Sequence, residues 1–303
     1  MTSVRTPCPA CHAGTLPDAR FCDHCGHRLD RRSPPVLCAA PLARSAEFDL
    51  DLVAGGTDVG RCRARNEDAM AIGRVDTATA TVAAVCDGVA SSPRSEMAAV
   101  AAARAGVTNL VRALGDAGSV SADVAVSATG HAAIAAADAA ADTGRGRPTD
   151  PPCCTYLSAL LTSDAVTLGW LGDSPAFWVS GDEVRRLTVD DSLAGRLAAD
   201  GVPPDDPRYA QDGAQALDRW LGADARRAAP HVVTFVPPGP GMVLACTDGL
   251  SRYLDGGHID PTDLSGSPVE WARALIGRAL DAGGHDNITV AVLAFPPRPE
   301  GAR

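Results

Sequence analysis

Lysine is absent from this chain: all 27 basic residues among its 303 positions are arginine. Every chemistry that needs an ε-amine is thereby excluded, including a P-loop lysine, a Schiff-base lysine and a kinase-type lysine. Arg- and Ala-biased codon usage is the simplest source of the deficit, and the exclusion holds whatever its origin. Aromatic residues are scarce at 4%, so Ala, Val and Leu must fill most of the interior. Positive charge is also short. A net charge of -10 argues against a general nucleic-acid binder, which would present a basic face, whereas carboxylates gathered in a cleft suit cations. Residues 1–8 hold no apolar core segment of a secretory signal. The longest apolar runs, 97–103 and 132–137, fall short of the about 20 residues a bilayer span needs. Ten cysteines in such a chain, four of them in metal-ligand spacing, lead us to expect a reduced, cytoplasmic protein without a membrane association.

What is present begins with Cys8-Pro-Ala-Cys11 and Cys22-Asp-His-Cys25. Each Cys-x-x-Cys turn aims two thiolates at one point, and two turns complete a tetrahedral site of the kind Zn²⁺ accepts. So short a segment cannot build its own core, so the metal would supply most of its folding energy. A redox reading of either pair is disfavoured, because the pairs are matched and no βαβ unit surrounds them. We therefore expect a zinc ribbon at 1–30, a Pro-containing linker at 31–47, a main domain at 48–297 and a tail at 298–303. Within the main domain, alternation predicts a strand over 48–53 and a near-continuous apolar run predicts another over 79–86. Two long Ala-rich helices are expected near 93–114 and 121–142, then a loop at 143–152. Strands follow at 155–162, 165–171, 175–180, 184–188, 231–236, 241–246 and 287–294, with further helices near 190–200, 213–221 and 268–282. Strands without βαβ alternation, and helices in pairs, predict an α+β fold of antiparallel sheets flanked by helices.

Carboxylates recur at the ends of the apolar strands: Asp87-Gly88, Asp173-Ser174, Asp248-Gly249, and Asp286-Asn287 just before one. A single Asp-Gly usually means a turn. Several at equivalent sheet rims point instead to a hard divalent cation such as Mg²⁺ or Mn²⁺. Arg63, Glu67 and Asp68 add a guanidinium and two more carboxylates beside the first strand. An Arg fork matches the geometry of a phosphate dianion, so the combination suggests phosphoryl chemistry.

The ordered set Thr57-Asp-Val-Gly60-Arg-Cys-Arg63-Ala-Arg-Asn-Glu67-Asp68-Ala69, Asp87-Gly88, Leu171-Gly172-Asp173-Ser174, Asp248-Gly249-Leu250 and Gly284-His-Asp286-Asn287-Ile-Thr289 resembles the type 2C (PPM) metal-dependent protein phosphatases. The resemblance runs over roughly 48–297 in the family's order. It implies an αββα sandwich of two antiparallel sheets, with hydrolysis of phosphoserine and phosphothreonine by a hydroxide bridging two Mn²⁺ or Mg²⁺ ions. It also implies that Asp87 bridges the metals and the Gly88 carbonyl binds one, while Asp248 and Asp286 hold the other. Glu67 and Asp68 would hold metal-bound waters, and Arg63 would grip the phosphate. Asp150 would complete a third, weaker metal site, with Asp173 and Asn287 as supports beside the cleft. The partners implied are phosphorylated proteins, a serine/threonine kinase or its targets, and a protein docked by the ribbon.

The chain departs from the family's pattern in three places. Val89-Ala-Ser-Ser-Pro93 replaces a Gly-Gly-containing stretch, Cys153-Cys154-Thr155 replaces Gly-Thr-Thr, and Pro175 stands where Arg is frequent. The rival expectation is therefore a catalytically impaired relative acting as a phosphoprotein-binding scaffold. A third expectation makes the ribbon dominant as a docking module.

Overall fold

Side chains alternate across a β-pleat, and along 80–86 both faces are buried. Val82, Ala84 and Cys86 join one apolar cluster, while Ala83 and Val85 join another. A strand buried on both faces must lie in an inner layer, and the whole fold is organised around that fact. A computed structural model describes residues 6–8, 11–16, 22–25, 36–39, 43–117, 119–146, 149–226 and 229–295. In chain order its first elements are β1 (Thr6–Pro7), β2 (Gly14–Thr15), β3 (Val36–Ala39), β4 (Ser45–Asp49), β5 (Val53–Asp58), β6 (Ala69–Val75) and β7 (Ala80–Cys86). Helices α1 (Ser95–Ala117) and α2 (Ala122–Thr143) follow, then β8 (Cys153–Cys154), β9 (Tyr156–Leu161), β10 (Val166–Leu171), β11 (Ala176–Ser180) and β12 (Glu183–Arg186). The chain continues through α3 (Leu193–Ala199), β13 (Leu221–Gly222), β14 (His231–Phe235), β15 (Gly241–Cys246), α4 (Asp248–Asp255), α5 (Pro268–Asp281) and β16 (Ile288–Phe295).

Two six-stranded sheets result, in the orders β14-β10-β9-β7-β6-β3 and β12-β11-β15-β16-β5-β4. Every neighbouring pair in them is antiparallel. One apolar cluster, with Met70, Leu157, Trp178 and Leu293, fills the space between the sheets. A second lies between the first sheet and the α1–α2 pair, and a third between the second sheet and α4–α5. The layering is the expected αββα sandwich. Small side chains let the helices settle close: Ala98, Ala99, Ala102 and Ala103 of α1 are buried with Ala128, Ala132 and Ala136 of α2. Gly106 is needed for the same reason, since a Cβ there would stand 2.3 Å from the Tyr156 hydroxyl. α2 joins shorter apolar runs into a helix of 22 residues with an 18-residue stretch of mean hydropathy 1.2, long and apolar enough by composition to cross a membrane. Here its apolar face is spent on α1 and the sheet.

Four local expectations are corrected. The stretch 48–53 is not one strand: it holds the end of β4, a turn at 50–52 and the first residue of β5, with Asp51 at φ 71° and its N–H donating to the Asp49 carboxylate at 2.8 Å. Leu50 still packs on the inter-sheet core, which is why the alternation ran through the turn. The segment read as a linker carries β3, paired with β6, and the start of β4. Residues 213–220 form turns and irregular backbone ahead of β13, with Gly213 at φ 80°, and the apolar residues of 213–221 serve separate contacts. The Ala214 carbonyl accepts the Ala194 N–H at 2.8 Å, whereas Leu221 is buried in β13 beside Cys154. Finally, Asp248 opens α4, a helix of eight residues that the sequence reading passed over.

Candidate functional site

The strands end where the carboxylates begin. Asp87 leaves β7, Asp173 leaves β10, Asp248 follows β15 by one residue, and Asp286 precedes β16 by one. The first two belong to one sheet and the last two to the other, so they meet where the sheets' edges face each other. The resulting cleft of about 160 Å³ is lined by Arg63, Glu67, Asp87, Gly88, Val89, Ala90, Thr155, Asp173, Leu217, Asp248, Asp286 and Asn287.

Asp87, Glu67 and Asp68 are held by hydroxyl groups behind them. The Asp87 N–H donates to the Thr155 hydroxyl at 2.9 Å, and the Asp87 carbonyl accepts the Thr155 N–H at 2.8 Å. Thr155 shares a 2.7 Å hydroxyl–hydroxyl bond with Ser174. Ser95, at the start of α1, donates to the Glu67 carboxylate at 3.0 Å. Asp68 is buried behind the cleft and accepts from the Thr247 hydroxyl at 2.8 Å. Asn287 ties the 59–67 loop to the cleft: its amide donates to the Val59 and Arg65 carbonyls at 2.9 and 2.8 Å, and its oxygen accepts the Glu67 N–H at 2.8 Å. Backbone approach is equally tight at Gly249, where a Cβ would meet the Asn287 carbonyl at 1.8 Å.

The electrostatics follow from crowding. Burial, then the charges of Asp68, Asp248, Asp173 and Asp286, pushes the Asp87 carboxyl well above its ordinary range. Burial also raises Asp68 to about 7, against the hydrogen bonds of Thr247 and Thr289, with Asp248 and Asp286 adding to the rise. Asp173 is pushed up to about 7 by burial and by Asp248 and Asp190. Such a crowd is relieved by a cation, and the donor set is all oxygen, which suits a hard divalent ion. The residues present therefore fit Mg²⁺ or Mn²⁺. Two guanidiniums already lean on the set: Arg63 lies 2.6 Å from Asp286, and Arg252 lies 2.9 Å from Asp248 and 3.7 Å from Asp286.

Of the residues singled out in the sequence, Arg63, Glu67, Asp87, Gly88, Asp173, Asp248, Asp286 and Asn287 line this one cleft, with Asp68 directly behind it. Asp150 does not join them. It lies in an adjoining hollow with Trp220 and Asp224. The reading missed Thr155, Ser174, Ser95 and Thr247, ordinary hydroxyls whose value appears only in three dimensions. Arg252 had a legible signal, since four residues after Asp248 on a helix puts the two side chains on one face. His285 is not in the cleft lining. Its Nδ1 is 3.8 Å from the Cys62 sulfur, and its ring stacks with Tyr253 at 6.5 Å.

At the N-terminus, β1 and β2 pair, and the sulfurs of Cys8, Cys11, Cys22 and Cys25 all lie within 4.8 Å of one another. The Cys8–Cys25 and Cys11–Cys22 separations are 3.8 and 3.6 Å. A sulfur tetrahedron with Zn–S bonds of about 2.3 Å has edges of about 3.8 Å, so the cluster has the dimensions of a zinc site. Backbone N–H groups of Cys25 and His24 help hold the Cys22 thiol down to about 6, whereas, against the Ala13 backbone N–H, the neighbouring sulfurs, Cys25 foremost, push Cys11 up to about 12, so four sulfurs this close shed all their protons only to a cation.

Comparison with known proteins agrees with this geometry. The family model described as protein phosphatase 2C matches residues 56–266. The serine/threonine phosphatase stp of Listeria innocua is 29% identical over 142 residues, which are 46% of this chain and 55% of that protein. This chain thus spans about half the length of the curated relatives it matches. Among solved structures, a serine/threonine phosphatase of S. agalactiae superposes with a TM-score of 0.66 at 18% identity, covering 83% of this chain and 98% of that one. The catalytic domain of the phosphatase PstP, solved with two manganese ions, has a TM-score of 0.54 at 22% identity, covering 86% and 99%.

Proposed function

Because the chain belongs to the protein phosphatase 2C family, we propose that it hydrolyses phosphoserine and phosphothreonine in proteins at the carboxylate cleft. The observation that carries this reading is the convergence of Arg63, Glu67, Asp87, Asp173, Asp248 and Asp286 on one cleft from both sheets. Asp87 and the Gly88 carbonyl, with Asp248 and Asp286, would hold two Mn²⁺ or Mg²⁺ ions. Bound there, such ions would supply an acidified water and neutralise charge on the phosphoryl oxygens. Asp150 stands apart, so a third ion is not part of the proposal.

The chain's own groups do the positioning. Arg63 is half-exposed and bonded through one nitrogen to Asp286, so its fork can turn to two phosphate oxygens. Glu67, fixed by Ser95 and Asn287, orients water beside Asp87. Val89 and Leu217 give the mouth apolar walls. With His285 turned toward Cys62, no histidine among the described residues lines the cleft, and the leaving serine or threonine oxygen takes its proton from water. The binding-only reading finds no support, and the presence of Asp87, Gly88, Asp248 and Asp286 in one cleft favours turnover. We assign Zn²⁺ to the four N-terminal thiols, which stay reduced in cytoplasm, and read that segment as a docking module. The substrates would be products of serine/threonine kinases.

The test is turnover by the purified chain of p-nitrophenyl phosphate and a phosphothreonine peptide, with Mn²⁺ and then with excess EDTA. Hydrolysis of both with Mn²⁺, abolished by EDTA, is expected. No hydrolysis with either Mn²⁺ or Mg²⁺ would overturn the proposal.

A further inference from the structure

The hollow that holds Asp150 opens beside the carboxylate cleft and shares two of its walls, Val89 and Leu217. It measures about 460 Å³, nearly three times the volume of the cleft itself. For a phosphorylated side chain with its phosphate at Arg63, those shared walls offer its backbone a way out across the hollow. Consecutive residues of an extended peptide are about 3.3 Å apart, so a residue one or two places from the phosphorylated one falls over the hollow.

Its floor is firm. The Val89 N–H donates to the Cys153 carbonyl at 3.0 Å, the Ser92 hydroxyl donates to the Pro151 carbonyl at 3.2 Å, and the Cys153 N–H donates to that hydroxyl at 2.9 Å. Val89, Ser91, Ser92 and Cys153 are also positions where this chain departs from the pattern it resembles, so the floor is this chain's own. The far wall is Trp220, half-buried, whose indole N–H donates to the exposed Asp224 carboxylate at 3.1 Å. Asp150, also exposed, faces the same space. Among the described residues, no arginine lines the hollow and neither carboxylate has a cationic partner. An indole and two carboxylates around one cavity favour a cation, by charge and, where it lies over the ring, by the ring's quadrupole.

We propose that this hollow is a substrate subsite, occupied by the Arg or Lys side chain of a phosphopeptide next to its phosphorylated residue. Trp220 and Asp224 are then specificity-determining residues. The inference rests on the phosphatase reading and adds a substrate class to it: phosphoproteins with a basic residue flanking the phosphorylated one.

The test measures kcat/KM with Mn²⁺ on phosphothreonine peptides that carry either Arg or Glu at each position from three before to three after the phosphothreonine. p-Nitrophenyl phosphate, too small to reach Trp220, is measured alongside. An Arg-over-Glu preference of about five-fold is expected at one or two positions, the size a solvent-facing ion pair and a cation–ring contact give together. W220A and D224N should each reduce that ratio toward one while leaving p-nitrophenyl phosphate turnover within about two-fold, an interval too small to signal a lost catalytic group. Asn at 224 still offers Trp220 an oxygen, so D224N removes the charge and keeps the wall. A wild-type ratio near one, a preference for Glu, or a preference unchanged in both variants would overturn the subsite. Failure on p-nitrophenyl phosphate itself would instead overturn the phosphatase reading.

Discussion

Asp286 and Asp248 each have a guanidinium against them, and the two arginines have different freedoms. Arg63 comes from a loop, so it can move with a phosphate, whereas Arg252 is fixed on α4 one turn beyond Asp248. We expect Arg63→Ala to raise KM for phosphopeptides about ten-fold with a smaller fall in kcat, because charge on the phosphate oxygens persists through transfer. Arg252→Ala should instead tighten Mn²⁺ binding several-fold, since it removes a cation that competes for Asp248. Calorimetric titration with Mn²⁺ reads that change, and weaker binding in Arg252→Ala would contradict it. Asp87→Asn should lower turnover by orders of magnitude while its melting temperature holds or rises. The loss of one buried, repelled carboxylate relieves its neighbours, and unchanged turnover would remove Asp87 from the centre.

Helices and strands carry these groups, and their fit is set by a few close approaches. α4 enters beside the Asn287 carbonyl with no room for a side chain at its second residue. Gly249→Ala should therefore cost about 1–3 kcal/mol, the usual range for overpacking, and reduce activity by displacing Asp248; a thermal melt and a rate assay check both. The long elements were legible: α1 and α2 lie within a few residues of expectation, and the carboxylates at strand ends gather as their pattern implied. β6 has no sequence signature of its own, because Gly73 and Arg74 cut its apolar run to four residues, although nearly all its positions are buried. α4 was not read because eight residues with Gly in the first turn give no helical period. Asn287 was read as a support for its neighbour Asp286. Its backbone N–H does donate to that carboxylate at 2.9 Å, while the three bonds of its side chain run to residues 220 or more positions away, which no local spacing can show.

The crowded carboxylates also govern the stability of the molecule. In an unfolded chain Asp68, Asp87 and Asp173 titrate near 4, whereas folding raises Asp68 and Asp173 to about 7 and Asp87 upward. Between about 4 and about 7 the folded state keeps protons that the unfolded state has released, so rising pH favours unfolding across that window. Glu47, Asp206, Asp260 and Glu270 are held down by their partners and titrate below it. Without metal, the protein should melt about 5 °C lower at pH 7.5 than at pH 5.5, the size of shift that one or two kcal/mol produces. Mn²⁺ at pH 7.5 should recover the loss, and a metal-free melt independent of pH would refute the argument. A chain beginning near residue 33 should keep turnover of p-nitrophenyl phosphate and lose one equivalent of zinc. One beginning at Ala46 should melt lower, because it lacks β3 and cuts into β4. The cleft draws Glu67, Asp87 and Asp173 from one sheet and Arg63, Asp248 and Asp286 from the other, with the Met70–Trp178 cluster packed between. The site is thus a gauge of how the two halves are seated, as the jaws of a caliper report its screw. A substitution deep in that cluster can silence the chain while every ligand stays in place, so inactivity alone does not locate a lesion at the cleft.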